Sequence, residues 1–217
     1  MRRIIMNCRG TETRKKIVEE YKVGPVAHIK LLANQTKHSD AGATIEDKYY
    51  IFSAIRKSDG KKDVIQCGMG AARDFLRILN HPGLPLFNPL KVEEVTSLSN
   101  NEEANNDKKI DDWNDRARQL YNAIMWLIIA WDAKPDTPLF KFRDDIEKNK
   151  RYDPFDWKIK RVNTVIMNGG KGKTLTEIID DFSKHNNIKD SICDFELLVE
   201  KINKITDENG QYLKSYF

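Results

Sequence analysis

Cysteine is scarce and scattered. Cys8, Cys67 and Cys193 are odd in number and far apart, which excludes a disulfide framework and makes a reducing cytosol the expected compartment. Histidine is nearly as rare. His28, His38, His81 and His185 share no paired ligand spacing with one another or with the thiols, so neither a zinc site nor any other cofactor is expected. Long apolar runs are missing too. The uninterrupted one, Ala123–Trp131, falls short of the ~20 residues a membrane span needs, and no membrane association is expected. Behind Met1-Arg2-Arg3 the apolar Ile4-Ile5-Met6 is too short for a secretory leader. No charge sign dominates: the net charge is +4, which by itself does not imply nucleic acid.

What is present is a rod. From Ile110 to Trp131 the apolar positions Ile110, Trp113, Ala117, Leu120, Ile124, Leu127 or Ile128, and Trp131 recur in steps of three and four. That spacing predicts one apolar stripe on an α-helix. Asp111, Asp112 and Asp115 lie in its opening turns, where carboxylates suit the helix dipole. From Ala123 onward nearly every side is apolar, so burial on most sides follows. Pro135 sets the stop, because the residue before proline leaves helical space.

The N-terminal half reads as strands with one packed helix. Thr11 or Thr13 caps a short helix that Gly24-Pro25 ends. Val26–Ala33 alternates weakly as a strand. Tyr49–Ile55 is rich in aromatic and β-branched residues and is a strong strand. Ser58-Asp59-Gly60-Lys61 is a hairpin turn signal, with Asp63–Gln66 returning. Cys67-Gly68-Met69-Gly70 then opens a helix, and Pro82–Leu90, with three prolines, is an ordered loop packed on the core. The polar segment 96–109 has almost nothing to bury and reads as an acidic linker. Beyond the central helix, Thr137-Pro138 starts another. Tyr152–Trp157 is an aromatic turn, Lys158–Met167 fits strand or helix, and Thr174-Leu-Thr-Glu177 is a capping box. The expected fold is α+β: a small antiparallel sheet with a packed helix over residues 1–95, the linker 96–109, and a mostly helical part, 110–217, around the buried central helix.

Three constellations bear on chemistry. Cys67, at the start of a helix, would feel the positive dipole end as a nucleophile, with His28 or His38 as base. Gly68-x-Gly70 lacks the third glycine of a dinucleotide fingerprint. The loop Asn168–Thr174, NGGKGKT, ends like a phosphate loop but has Met167 where the first glycine belongs. It suits a weaker phosphate contact through Lys171 and Lys173 at a helix N-terminus. Carboxylate-x-Lys triplets of the metal-nuclease kind, Glu46-x-Lys48 and Asp156-x-Lys158 among them, occur about as often as chance gives in so charged a chain. Trp113, Trp126, Trp131 and Trp157 fall mostly at helical core spacing, which puts them inside rather than in reach of bases. The leading expectation is a cytoplasmic binding protein that engages nucleic acid or another phosphate-bearing partner through Arg2, Arg3, Arg9, Arg14, Lys15, Lys16, Lys171 and Lys173. The alternatives are the Cys67 enzyme and a protein–protein adaptor that docks through an exposed patch near Pro82–Leu90.

Overall fold

A computed structural model of the chain describes residues 6–91, 112–133 and 137–217. Arg2, Arg3, the linker 96–109 and Ile110, where the central helix was expected to begin, lie outside these residues. The fold is α+β. The chain divides into two compact units, Met1–Pro89 with Trp131–Lys141, and Leu90–Ala130 with Phe142–Phe217.

The first unit is built on a three-stranded antiparallel sheet in the order β1 (Tyr21–Lys30), β4 (Lys48–Arg56), β5 (Lys62–Gly68). A small hairpin, β2 (Lys37–His38) with β3 (Thr44–Ile45), is inserted between β1 and β4. The expected β4–β5 hairpin is present, and Gly60 takes φ +72 in its turn. β4 is central and buried on both faces: Tyr50, Phe52 and Ala54 alternate with the equally buried Tyr49 and Ile51. On the first face Phe52 and Ile65 meet Phe75 and Ala72 of α2 (Met69–Ile78) and Ile17 of α1 (Thr11–Glu20).

Gly24-Pro25 does not end α1. The helix stops at Glu20, and Tyr21, already extended, begins β1, which runs straight through the pair. Proline has no N–H to offer a ladder, but β1 is an edge strand, and the register shifts by a bulge between Pro25 and Ala27. α1 also has no side-chain cap; Gly10 precedes it.

The second unit is helical. α3 (Asp115–Ala130) carries the middle of the predicted stripe, Ala117, Leu120, Ile124 and Leu127, and Asn122–Ile129 are buried without a break. The helix starts later than expected: residues 112–114 are not helical, Asn114 Oδ1 accepts from Ala117 N–H at 3.1 Å, and Trp113 and Trp131 lie outside the helix and half-buried. Around it lie α5 (Asp156–Gly169), α6 (Leu175–Ser183) and α7 (Glu196–Asn203). Ile159, Val162 and Ile166 form the inner face of α5, Leu175 and Ile179 that of α6, Leu198 and Ile202 that of α7. The ambiguous segment Lys158–Met167 is thus helix. α4 spans Pro138–Lys148, with proline in its first turn as expected. The capping box is complete: Thr174 Oγ1 accepts from Glu177 N–H at 3.2 Å, and Glu177 Oε2 accepts from Thr174 N–H at 2.7 Å. The tail is held by a buried amide on α5. Asn163 donates to Lys214 O at 2.9 Å and accepts from Tyr216 N–H at 2.7 Å. Phe217 is buried, whereas Tyr212 is exposed.

Candidate nucleic-acid interface

Thiol chemistry is poorly served by the geometry. Cys67 lies not in a helical turn but in β5, two residues before α2, and is completely buried among Tyr50, Phe52 and Phe75. His28, Tyr50 and Cys67 form one cross-strand row, with Tyr50 in the middle. At about 4.8 Å per strand, the imidazole and the thiol are held roughly 10 Å apart. His38 is exposed on the β2–β3 hairpin. Cys8 is fully buried, and burial with the nearby Asp190 and Asp180 charges pushes the Cys193 thiol up to about 11. No thiol is therefore both accessible and activated.

His28 has a structural role instead. Its ring stacks on Tyr50 at 4.2 Å, and Nδ1 lies 3.1 Å from the carbonyl oxygen of Leu84. Tyr50 clamps the same residue, its hydroxyl donating to Leu84 O and accepting from Leu84 N–H. The expected ordered loop is thereby fastened to the sheet, and Phe87 beyond it is buried. Nε2 is buried without a partner among the described residues. Burial, and then the Lys48 charge, outweigh the Leu84 hydrogen bond and lower the His28 pKa below its ordinary value. The unfolded chain therefore binds this proton more readily than the folded one. The stabilisation is complete above the ordinary histidine value of about 6.5 and is lost as pH falls through the lowered one. Urea midpoints measured across that range should fall less steeply for His28→Gln than for the parent; equal slopes would contradict the assignment.

Of the described cations singled out from sequence, Arg14, Lys15 and Lys173 are engaged. Arg14 binds Asp74 at 2.6 Å, and Arg77, with Arg14 second, holds that carboxyl down at about 2. Lys15 pairs with Glu12, and Lys173 with Asp181 at 2.5 Å. Arg9, Lys16 and Lys171 are exposed. Arg9, Arg14, Lys15 and Lys16 belong to the first unit, Lys171 and Lys173 to the second.

The surface that stands out includes one residue, Trp157, that was expected at core spacing. In the turn before α5, Tyr152 is 71% exposed and Phe155 68%, and Trp157 in the first turn of α5 is 56% exposed. The buried Pro154 pins this turn. Because Ile159, Val162 and Ile166 take the inner side of α5, Trp157 falls on the outer side with Arg161, Thr164 and Asn168, and all four are exposed. Phe142 props the indole at 6.0 Å. The buried Lys158 places its ammonium 5.4 Å from the Phe155 ring centroid and 5.6 Å from that of Trp157.

The carboxylates around these rings are neutralised. Asp153 binds Arg116, Asp156 binds Lys201, Asp145 binds Lys158 and Asp112 binds Arg151. Lys160 and Arg161, three and four residues past Trp157, make no ion pair among the described residues. The result is three exposed aromatic faces beside positive charge that is not locally cancelled. Helical periodicity alone concealed Trp157. A charge signal was nevertheless present in the sequence: from Trp157 to Thr176 there are five lysines and arginines and no Asp or Glu.

Two recesses open on the described surface. One, of about 370 Å³, lies at the N-terminus of α2 against the β2–β3 hairpin, with Lys48, Glu46 and Asp47 on its wall. The other, of about 330 Å³, is lined by Asp180, Asn187, Asp190 and Cys193. Among the described residues no group of three or more His, Cys, Asp or Glu is arranged to hold a metal ion, and no helix is long and apolar enough to cross a membrane.

A family model described as "Uncharacterised conserved protein UCP028583" matches residues 6–213, and the chain belongs to that family. Neither the curated proteins nor the solved structures gave a match.

Proposed function

We propose that this chain is a nucleic-acid-binding protein whose contact surface is formed by Tyr152, Phe155 and Trp157 with Lys160 and Arg161. The supporting observation is the coincidence, within ten residues, of three exposed aromatic rings and two cations that no carboxylate engages among the described residues. Rings of this kind stack on bases and cations meet phosphates, and the two together distinguish a nucleic acid from a simple polyanion. A chain with three dispersed thiols suits the reducing cytosol, where such ligands are at hand.

Anisotropy of a labelled mixed-sequence oligonucleotide tests this reading. Binding at low salt should weaken roughly twentyfold between about 50 and 200 mM salt if three phosphates are contacted. Replacing Phe155 and Trp157 together by alanine should cost ~2–6 kcal/mol, since each stacked base contributes ~1–3. Circular dichroism unchanged from the parent would show that the loss is at the surface and not in the fold. Absence of binding to any oligonucleotide at low salt would overturn the proposal, and would leave the exposed rings as a protein-docking surface.

A further inference from the structure

We infer that the ligand is an unpaired strand laid along the outward face of α5, its bases on the aromatic end and its backbone running toward the loop at Lys171; this rests on the nucleic-acid reading above. Three rings exposed over six residues can stack only on bases whose faces are open. In a duplex those faces are already covered by neighbouring pairs, and a duplex would offer mainly its phosphates.

The direction of the strand follows from the helix. Trp157, Arg161, Thr164 and Asn168 lie at steps of four, three and four, and every one is exposed. No carboxylate stands among them, nor anywhere from Trp157 to Thr176. The face thus offers an aromatic platform, then a guanidinium, then the Thr164 hydroxyl, whose own proton goes to Lys160 O at 2.9 Å, and an amide. At its far end stands Lys171, exposed and, like Lys160 and Arg161, without an ion pair among the described residues. That ammonium also offsets the negative end of the α5 dipole. Lys173 is not part of the track, because Asp181 holds it at 2.5 Å. Beyond it Glu177, Asp180 and Asp181 of α6 turn the surface acidic and set a limit to the path. The helix has 14 residues, or about 21 Å at 1.5 Å each. That length matches about six nucleotides at duplex rise and fewer in an extended strand, a footprint of about four to six.

The test uses the full chain and labelled strands of three, six and twelve nucleotides, in dT and in rU series, with duplex DNA and inorganic polyphosphate as competitors. Six and twelve nucleotides should bind alike and three at least tenfold more weakly. Duplex and polyphosphate should compete at least tenfold worse than the hexamer, and the tighter series identifies the sugar. Lys171→Glu should weaken the hexamer severalfold and leave the trimer unchanged, whereas Lys15→Glu, off the track, should change neither. Duplex binding as tight as the hexamer, or a hexamer indifferent to Lys171→Glu, would overturn the single-strand track and leave nucleic-acid binding standing. Failure of every probe to bind would overturn both readings.

Discussion

Trp126→Ala is expected to remove ~3–5 kcal/mol of stability, a loss comparable to the whole stability of many domains of this size. Trp126 is completely buried in the middle of α3 and stacks against Phe182 of α6 with ring centroids 6.3 Å apart. Its indole N–H donates to Ile192 O at 3.1 Å, so one side chain ties the central helix to the turn that precedes α7. Truncation opens a cavity in the core where Trp126 is fully buried, and it leaves the Ile192 carbonyl without this donor. Trp126→Phe keeps the ring packing and loses the donor, so its cost should be nearer ~1–2 kcal/mol. Urea midpoints separate the two: with a slope of ~2 kcal/mol/M the alanine variant should shift by ~1.5–2.5 M and the phenylalanine variant by less than half as much. An alanine variant within ~1 kcal/mol of the parent would mean that α3 does not organise the second unit.

That helix was the most legible part of the chain, and the reason is physical. A stripe repeated at helical spacing has few alternative readings, and α3 buries its middle members Ala117, Leu120, Ile124 and Leu127 as the spacing requires; only the ends of the rod were read too long. The same holds for β4, where aromatic and β-branched residues on both faces have no other way to be covered. Legibility fails where a local signal is overruled by its surroundings. Gly24-Pro25 looked like a helix stop, but an edge strand with a bulge tolerates proline, and the aromatic Tyr21 had already left the helix. Cys67 looked like a helix-start residue because glycine follows it. The ladder in fact extends to Gly68, pairing Cys67 with Tyr50, and the thiol becomes core. The aromatic turn is present as read, but its exposure was not legible: Tyr152, Phe155 and Trp157 are apolar residues left outside the core, and the core spacing that seemed to place Trp157 inside does not hold. Only the missing acids downstream mark that surface in the sequence.

Gly170→Ala is expected to disturb the glycine–lysine loop more than its backbone angles suggest. Gly170 ends α5 at φ −77 and ψ −3, a conformation that any L-residue adopts, and on that ground alanine should be neutral or slightly stabilising. Space decides otherwise. A Cβ there would stand 2.5 Å from Lys173 O and 2.8 Å from Ile166 O, both backbone atoms. These carbonyls belong to the close-packed turn in which Lys173 N–H donates to Gly170 O and Gly170 N–H to Ile166 O. The methyl group therefore forces the helix end apart, at a cost of ~1–3 kcal/mol typical of overpacking. Gly172→Ala fails by the opposite route: nothing lies within 4 Å of its Cβ, but φ is +88, so the cost is conformational, ~1–2 kcal/mol. Amide exchange distinguishes the two. Gly170→Ala should deprotect the last turn of α5 and the first of α6 together, whereas Gly172→Ala should leave α5 protected. Because Lys171 lies between these glycines, the first variant should also weaken hexanucleotide binding, and normal exchange with normal binding in Gly170→Ala would show that this turn does not position the lysine.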